Sequence, residues 1–183
     1  MATTNQERIG RALALVAQGL EPIVAREFTK AYGPKWIDVI AAKKEMETGF
    51  AAVGNPSDPQ FLLNAVFFNW RETLGTFLGI EERNYVFELR TTRNRWAHPD
   101  PKKPFDTDDV YRAFDTSERL LSAVSAPEAA ALTKAKLEIL RVGYEATSAC
   151  GVMIERQGLR PEAGVPRVTA STLFFTSCFD FAS

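Results

Sequence analysis

The residues best suited to chemistry lie close together near the middle of the chain. Arg93, Asn94 and His98 fall within six positions, and His98 is the only histidine among the 183 residues. An imidazole exchanges protons near neutral pH, and a guanidinium binds anionic oxygens through paired hydrogen bonds. Acid–base chemistry, or the binding of an anion, is therefore expected first in this short segment.

A helix running from about Glu81 to His98 must position these side chains, because the segment stops at Pro99-Asp100-Pro101. At 100° per residue, Asn94 and His98 stack along one edge of this helix. Arg93 falls in the middle of its apolar stripe, which consists of Val86, Leu89, Trp96 and Ala97. The opposite side, which we predict to face solvent, carries Glu88, Thr92 and Arg95.

A guanidinium on an apolar stripe is costly unless it meets an acceptor. One interpretation is structural: Arg93 pairs with a carboxylate of the next helix, Asp109 or Asp115, and His98 is a polar residue at the helix terminus. The other interpretation is that these side chains form a functional site. The pattern alone is compatible with both.

Composition limits the class of protein. The hydrophobic residues make up 45% of the chain, the charged residues 25%, and the formal net charge is −1. These values are ordinary for a globular protein, and they exclude a strongly basic nucleic-acid-binding domain. The start of the chain lacks the pattern of a signal peptide, and the apolar stretches are too short for a membrane span. We therefore expect a cytoplasmic protein with no membrane association.

The rest of the sequence predicts an all-α bundle of about six helices, because apolar residues recur every three or four positions and period-two alternation is nearly absent. Thr4 with Glu7, and Ser125 with Glu128, form capping-box patterns, and Ser57 is expected to open the third helix. The predicted helices cover about Asn5–Tyr32, Lys35–Glu45, Ser57–Phe77, Glu81–His98, Asp106–Leu121 and Pro127–Ala146.

The C-terminal end does not follow this pattern. The helical signal fails from Gly158, and Val168–Ser183 is rich in Thr, Ser and Phe. We therefore predict a helical domain over residues 4–148. Residues 149–183 are either an irregular tail or the start of a linker to a missing domain.

The segment around the three candidate residues resembles the signature of the HEPN superfamily, which is an arginine, a polar residue, three variable positions and a histidine, late in a helix of a small all-α domain. The wider segment Leu89–Leu121 is similar to one branch of that superfamily. That branch occurs at the N-terminus of large bacterial ATPases, some in phage-defence loci, and in a eukaryotic mRNA-surveillance endonuclease. The resemblance covers roughly Thr4 to Tyr144.

The resemblance implies a homodimer that cleaves RNA without a metal or other cofactor, through attack of a 2′-hydroxyl on the adjacent phosphate. His98 would then be the general acid or base, Arg93 would stabilise charge on the phosphate oxygens, and Asn94 would orient His98 or contact the phosphate. Basic side chains nearby could extend an RNA-binding lip. They are Arg90, Arg95, Lys102 and Lys103.

The sequence is compatible with two further hypotheses. One is a non-catalytic module that binds RNA or regulates a partner. The other is a dimerisation or docking domain of a larger ATPase system. A role in antiviral defence or as a toxin would add an ATPase or antitoxin partner to the expected list, beside RNA and a second copy of the chain.

Overall fold

A computed structural model of the protein describes residues 3–49 and 54–141, and the regular secondary structure in these ranges is helical, with no strand in them. The predicted all-α class is confirmed. The helices are α1 (Asn5–Tyr32), α2 (Trp36–Thr48), α3 (Pro59–Phe68), α4 (Ile80–Ala97), α5 (Thr107–Ala123) and α6, which covers residues 129–141 of the described chain. The predicted tail at residues 149–183 lies outside the described residues.

Helix α1 is the central element, and it packs against α2, α3, α4 and α5. Its N-terminus carries the predicted capping box: the backbone N–H of Glu7 donates to Oγ1 of Thr4, and the backbone N–H of Thr4 donates to Oε2 of Glu7. Pro22 lies inside the helix without ending it. The core contains six of the apolar residues that recur along this helix, which are Ile9, Leu13, Val16, Leu20, Val24 and Phe28, whereas Ile23 is only partly buried.

The third helix is shorter than predicted, and it begins at a different cap. Asp58, not Ser57, caps it by accepting a hydrogen bond from the backbone N–H of Gln60 at 3.1 Å. The helix ends at Phe68 because the Asn69 side chain donates to the carbonyl of Ala65 and so closes the last turn. Turns and a short 3₁₀ segment (Leu74–Thr76) follow.

Ser125 also has a different role from the one predicted. It adopts a left-handed backbone with φ 58°, and its N–H donates to the carbonyl of Ser122. The N–H of Ala126 donates to the carbonyl of Leu121 at 2.9 Å. This pair of hydrogen bonds is a Schellman motif, so Ser125 terminates α5 and is not the cap of α6.

No helix within residues 3–49 and 54–141 combines the length and the apolar character needed to cross a lipid bilayer.

Candidate functional site

The three candidate residues at the end of α4 lie in two different environments, one half-buried and one exposed. Val86 and Leu89 are fully buried, as the helical pattern predicts, and Arg93 is half-buried on the same side. Asn94 and His98 are exposed. His98 is the residue that follows the last turn, and its backbone N–H donates to the carbonyl of Asn94 at 3.1 Å. The imidazole and the amide therefore lie one helical turn apart at the surface.

Arg93 is held by a different carboxylate from either one expected. Its Nη2 lies 3.7 Å from Oδ1 of Asp58, the cap of α3. That distance allows Coulombic attraction, but it is too long for a hydrogen bond. Within the described residues no other carboxylate forms an ion pair with Arg93. The guanidinium therefore keeps its hydrogen-bond donors available to a ligand.

The two carboxylates predicted for Arg93 are engaged elsewhere. Asp109 accepts a hydrogen bond from Nη1 of Arg95 at 2.8 Å. Asp115 accepts from Arg119 at 2.7 Å and from Lys136 at 2.9 Å. The structural interpretation of Arg93 as a partner of Asp109 or Asp115 is therefore wrong.

The side of α4 predicted to face solvent instead faces α5. Glu88 pairs with Arg112, and Arg95 pairs with Asp109. The Nη2 of Arg95 also donates to the carbonyls of Lys103 and Pro104, at 3.2 and 3.1 Å. These bonds hold the loop that follows His98 against α4 and α5. The expected contact of Arg95 with RNA stays a prediction, and any such contact would compete with these bonds.

The other basic residues of the expected RNA-binding lip, Arg90, Lys102 and Lys103, differ in how many contacts their side chains make. Nε of Arg90 donates to Oδ1 of Asn64 at 2.7 Å, and its guanidinium lies over the rings of Phe67 and Phe68 at 4.5 and 4.9 Å from the centroids. Burial lowers the pKa of Arg90 from its ordinary value. The lysines Lys102 and Lys103 are exposed in the loop after α4. Their role in binding RNA stays a prediction.

Trp96 attaches the C-terminal end of α4, which carries the candidate residues, to the start of α1. Its indole Nε1 donates to the carbonyl of Gln6 at 3.0 Å, and Nε2 of Gln6 donates to the carbonyl of Trp96 at 2.6 Å. Gly10 permits this approach, because a Cβ at that position would lie 3.1 Å from Nε1 of the indole. Nδ2 of Asn5 donates to the carbonyl of Phe105 and so holds the following loop as well.

A groove of about 730 Å³ opens beside Arg93, and sequence reasoning did not identify it. One wall is the face of α1 that carries Gly10, Ala14 and Glu21. The opposite wall consists of the start of α3, with Asp58, and the end of α4, with Arg93 and Trp96. The signal in the sequence was the run of small residues along α1 at Gly10, Ala14 and Ala17, because short side chains leave room beside a helix.

A second surface runs along α4 from the candidate residues toward its N-terminus. Phe68, Ile80 and Phe87, here called the apolar face, have exposed fractions of 64%, 68% and 53%. The rings of Phe68 and Phe87 both contact Phe67, with centroids 5.4 and 5.7 Å away. Because Ile80, Phe87 and Asn94 are spaced by seven residues, the two residues of the apolar face that belong to α4 share one stripe of that helix with Asn94, and Phe68 of α3 adjoins them.

Clusters of three or more His, Cys, Asp or Glu side chains that could hold a metal ion are absent from the part of the chain that the structure describes.

Comparison with known proteins agrees with the helical fold. A search of curated proteins and a search of solved structures gave no match. The family model described as Swt1-like HEPN matches residues 11–125, which is more than half of the chain and includes all of α3, α4 and α5. Arg93, Asn94 and His98 lie within the matched range. The chain belongs to the Swt1-like HEPN family.

Proposed function

We propose that this protein is a metal-independent endoribonuclease that acts as a homodimer. The observation that carries the proposal is the arrangement at the end of α4. There an exposed imidazole and amide lie one turn apart, next to an arginine whose single ion pair is too long for a hydrogen bond. Membership of a HEPN family supports it.

The proposed reaction is an internal transfer of the phosphate ester. A base removes the proton of a ribose 2′-hydroxyl, and the oxygen attacks the adjacent phosphorus. The bond from phosphorus to the 5′-oxygen breaks, and an acid protonates that oxygen. The products are a 2′,3′-cyclic phosphate and a 5′-hydroxyl, so no water or cofactor is consumed in this step.

The side chains at the end of α4 suit these roles. His98 is the proton carrier, because histidine is the side chain that most often serves as a general acid or base. Arg93 donates to the non-bridging oxygens as charge develops on them, and a donor of this kind contributes about 3 kcal/mol to the transition state. Asn94 orients the imidazole or contacts the phosphate.

A second copy of the chain would complete the site. The reaction needs one group to accept a proton and another to donate one, and each chain has a single histidine. The apolar face continues directly from Asn94 along α4 and carries three large side chains in contact with water. Exposed apolar patches of this kind are typical of protein interfaces. Docking of two copies through this face would bring the two His98 side chains toward one cleft.

The experiment is cleavage of single-stranded RNA in EDTA by the wild type and by two variants, His98→Ala and Arg93→Ala. We expect both substitutions to abolish cleavage and to leave the helical circular dichroism unchanged, because both side chains lie outside the core. Arg26→Ala is the matched control, since Arg26 is an exposed arginine on α1 away from the site. The proposal fails if wild-type protein leaves RNA uncut, or cuts it only after a divalent metal is added.

The alternative function is a non-catalytic module that binds RNA, or a dimerisation or docking module of a larger ATPase system, and the apolar face favours the second of these. The two are separated by a measurement of RNA binding. For the RNA-binding module, RNA affinity would fall with rising salt concentration while no cyclic phosphate appeared. A setting in antiviral defence, or a toxin-like role, is proposed for either function.

A further inference from the structure

The groove beside Arg93 offers three kinds of surface that one ligand would have to match. Its floor on α1 is apolar, with Leu13 and Ala17 buried and Ala14 exposed. Guanidinium groups from Arg11 and Arg93 line it. Two carboxylates, those of Glu21 and Asp58, line it as well. Because Asp58 already lies 3.7 Å from Arg93, Glu21 is the lining carboxylate without a partner among the described residues. A matching ligand would therefore carry an anionic group for the arginines, an apolar part for the floor and N–H donors for Glu21.

The polar groups of this groove are largely free. Among the described residues, Arg11, Gln18 and Glu21 make no side-chain hydrogen bond or ion pair, and Arg93 has only the 3.7 Å contact with Asp58. The volume of about 730 Å³ falls within the range of roughly 300–1,000 Å³ that is typical of ligand pockets. Gly10 and Glu21, at the two ends of the α1 wall, are separated by eleven residues, or about 16 Å along the helix axis.

We infer that this groove binds one nucleotide of a single-stranded RNA, with its phosphate on Arg93 and its base on the apolar floor of α1. This inference rests on the proposed function, because the phosphate on Arg93 would be the one next to the cleaved bond. Bases in single-stranded RNA are recognised by apolar contact with their faces and by hydrogen bonds at their edges. The groove provides both kinds of contact on one side of the catalytic arginine.

The carboxylate of Glu21 selects among the four bases. A carboxylate only accepts hydrogen bonds, and its two oxygens accept two parallel donors. Guanine presents two adjacent N–H donors, at N1 and N2, whereas uracil presents one, and adenine and cytosine place a ring acceptor beside their amino group. The groove is therefore expected to prefer guanine, with Glu21 as the specificity-determining residue.

The test is the binding of short oligouridines in which one position is guanosine or adenosine. All riboses carry 2′-O-methyl groups, so cleavage by 2′-hydroxyl attack is blocked and binding is measured alone. We expect the wild type to bind the guanosine oligomer about tenfold more tightly than oligouridine, as an added base contact provides. Glu21→Gln should remove this preference, because an amide presents only one acceptor oxygen. Equal affinity for all the oligomers would overturn the inference.

A variant that fills the groove provides the second part of the test. Ala14→Trp places an indole on the groove floor, and Ala14 is exposed, so the fold is expected to tolerate it. Ala31→Trp is the matched control, an exposed alanine of the same helix outside the groove. We expect Ala14→Trp alone to lose RNA affinity about tenfold. If Ala14→Trp binds RNA like the wild type but no longer self-associates, the groove receives a protein segment and the inference is overturned.

Failure of the inference is distinguishable from failure of the proposed function. Cleavage of ordinary RNA by both tryptophan variants at the wild-type rate would refute the nucleotide site and leave the nuclease intact. Selective binding of the guanosine oligomer by a wild type that cleaves no RNA would refute the nuclease and support the site.

Discussion

Arg95, together with Asn5, holds the loop that carries Lys102 and Lys103 in place, and the contribution of Arg95 gives a prediction that can be worked out quantitatively. Arg95 donates to Asp109 and to the carbonyls of Lys103 and Pro104, and its guanidinium lies 4.1 Å from the centroid of the Phe105 ring. Arg95→Met keeps the aliphatic stem and removes every donor.

The expected cost is about 3 kcal/mol in the free energy of unfolding. A hydrogen bond between charged groups contributes about 1.5–3 kcal/mol, a bond to a carbonyl about 1, and the ring contact about 0.5–1. The sum of these contributions is reduced by solvent screening, because the Arg95 side chain is 28% exposed. The matched control is Arg112→Met, which removes the other α4–α5 ion pair. Since the Arg112 side chain is 76% exposed, we expect a loss of about 0.2–1 kcal/mol.

The pH dependence of the same variant is a separate test. The hydrogen bond from Arg95 holds the pKa of Asp109 below its ordinary value. A carboxyl whose pKa is lowered by folding stabilises the protein above its unfolded pKa, about 3.9, and loses that contribution as the pH falls through its folded pKa. The difference in unfolding free energy between the wild type and Arg95→Met should therefore be largest at neutral pH and become smaller below about pH 4.

Urea denaturation followed by circular dichroism measures both quantities. The reasoning is refuted if Arg95→Met costs no more than Arg112→Met at neutral pH. It is refuted equally if the cost of Arg95→Met stays constant as the pH falls to the acid limit of folding.

Three further substitutions test the local structure. Ser125→Gly should raise the unfolding free energy by about 0.5–1 kcal/mol, because glycine adopts the left-handed backbone without steric cost, and an unchanged or lower value would contradict the Schellman assignment. Gly75→Ala should cost about 1–3 kcal/mol in urea denaturation, since its Cβ would lie 2.7 Å from the backbone oxygen of Trp70; a neutral effect would show that this turn moves freely. Asp58→Ala should cost about 1 kcal/mol and Asp58→Asn much less, because asparagine keeps the helix cap; equal losses would mean that the ion pair with Arg93, not the cap, carries the effect.

The sequence was sufficient to predict the range of a helix that has both a capping motif and a long periodic run of apolar residues. The range of α1 agrees with the prediction, because Thr4 and Glu7 mark its start and Gly33 marks its end. The third helix was predicted too long for a physical reason. Trp70 and Leu74 continue the four-residue spacing and are buried, but they reach the core from turns that the Asn69 side chain begins.

The candidate site was predictable only in part. The helical period correctly placed Arg93 on the buried side of α4, and Asn94 and His98 at its edge. It did not show which neighbouring helix covers each side, because periodicity gives the angle of a side chain and not the identity of its neighbour. The contact of Arg93 with Asp58, and the position of Arg95 against α5, both depend on tertiary packing between segments far apart in the sequence.

The central claim is that His98 and Arg93 carry out phosphate transfer without a metal. Analysis of the ends of the RNA fragments produced in EDTA tests it most directly. The proposed reaction predicts fragments that end in a 2′,3′-cyclic phosphate and begin with a 5′-hydroxyl, and no fragments from His98→Ala. Fragments with a 3′-hydroxyl and a 5′-phosphate, or the same cyclic products from His98→Ala, would contradict it.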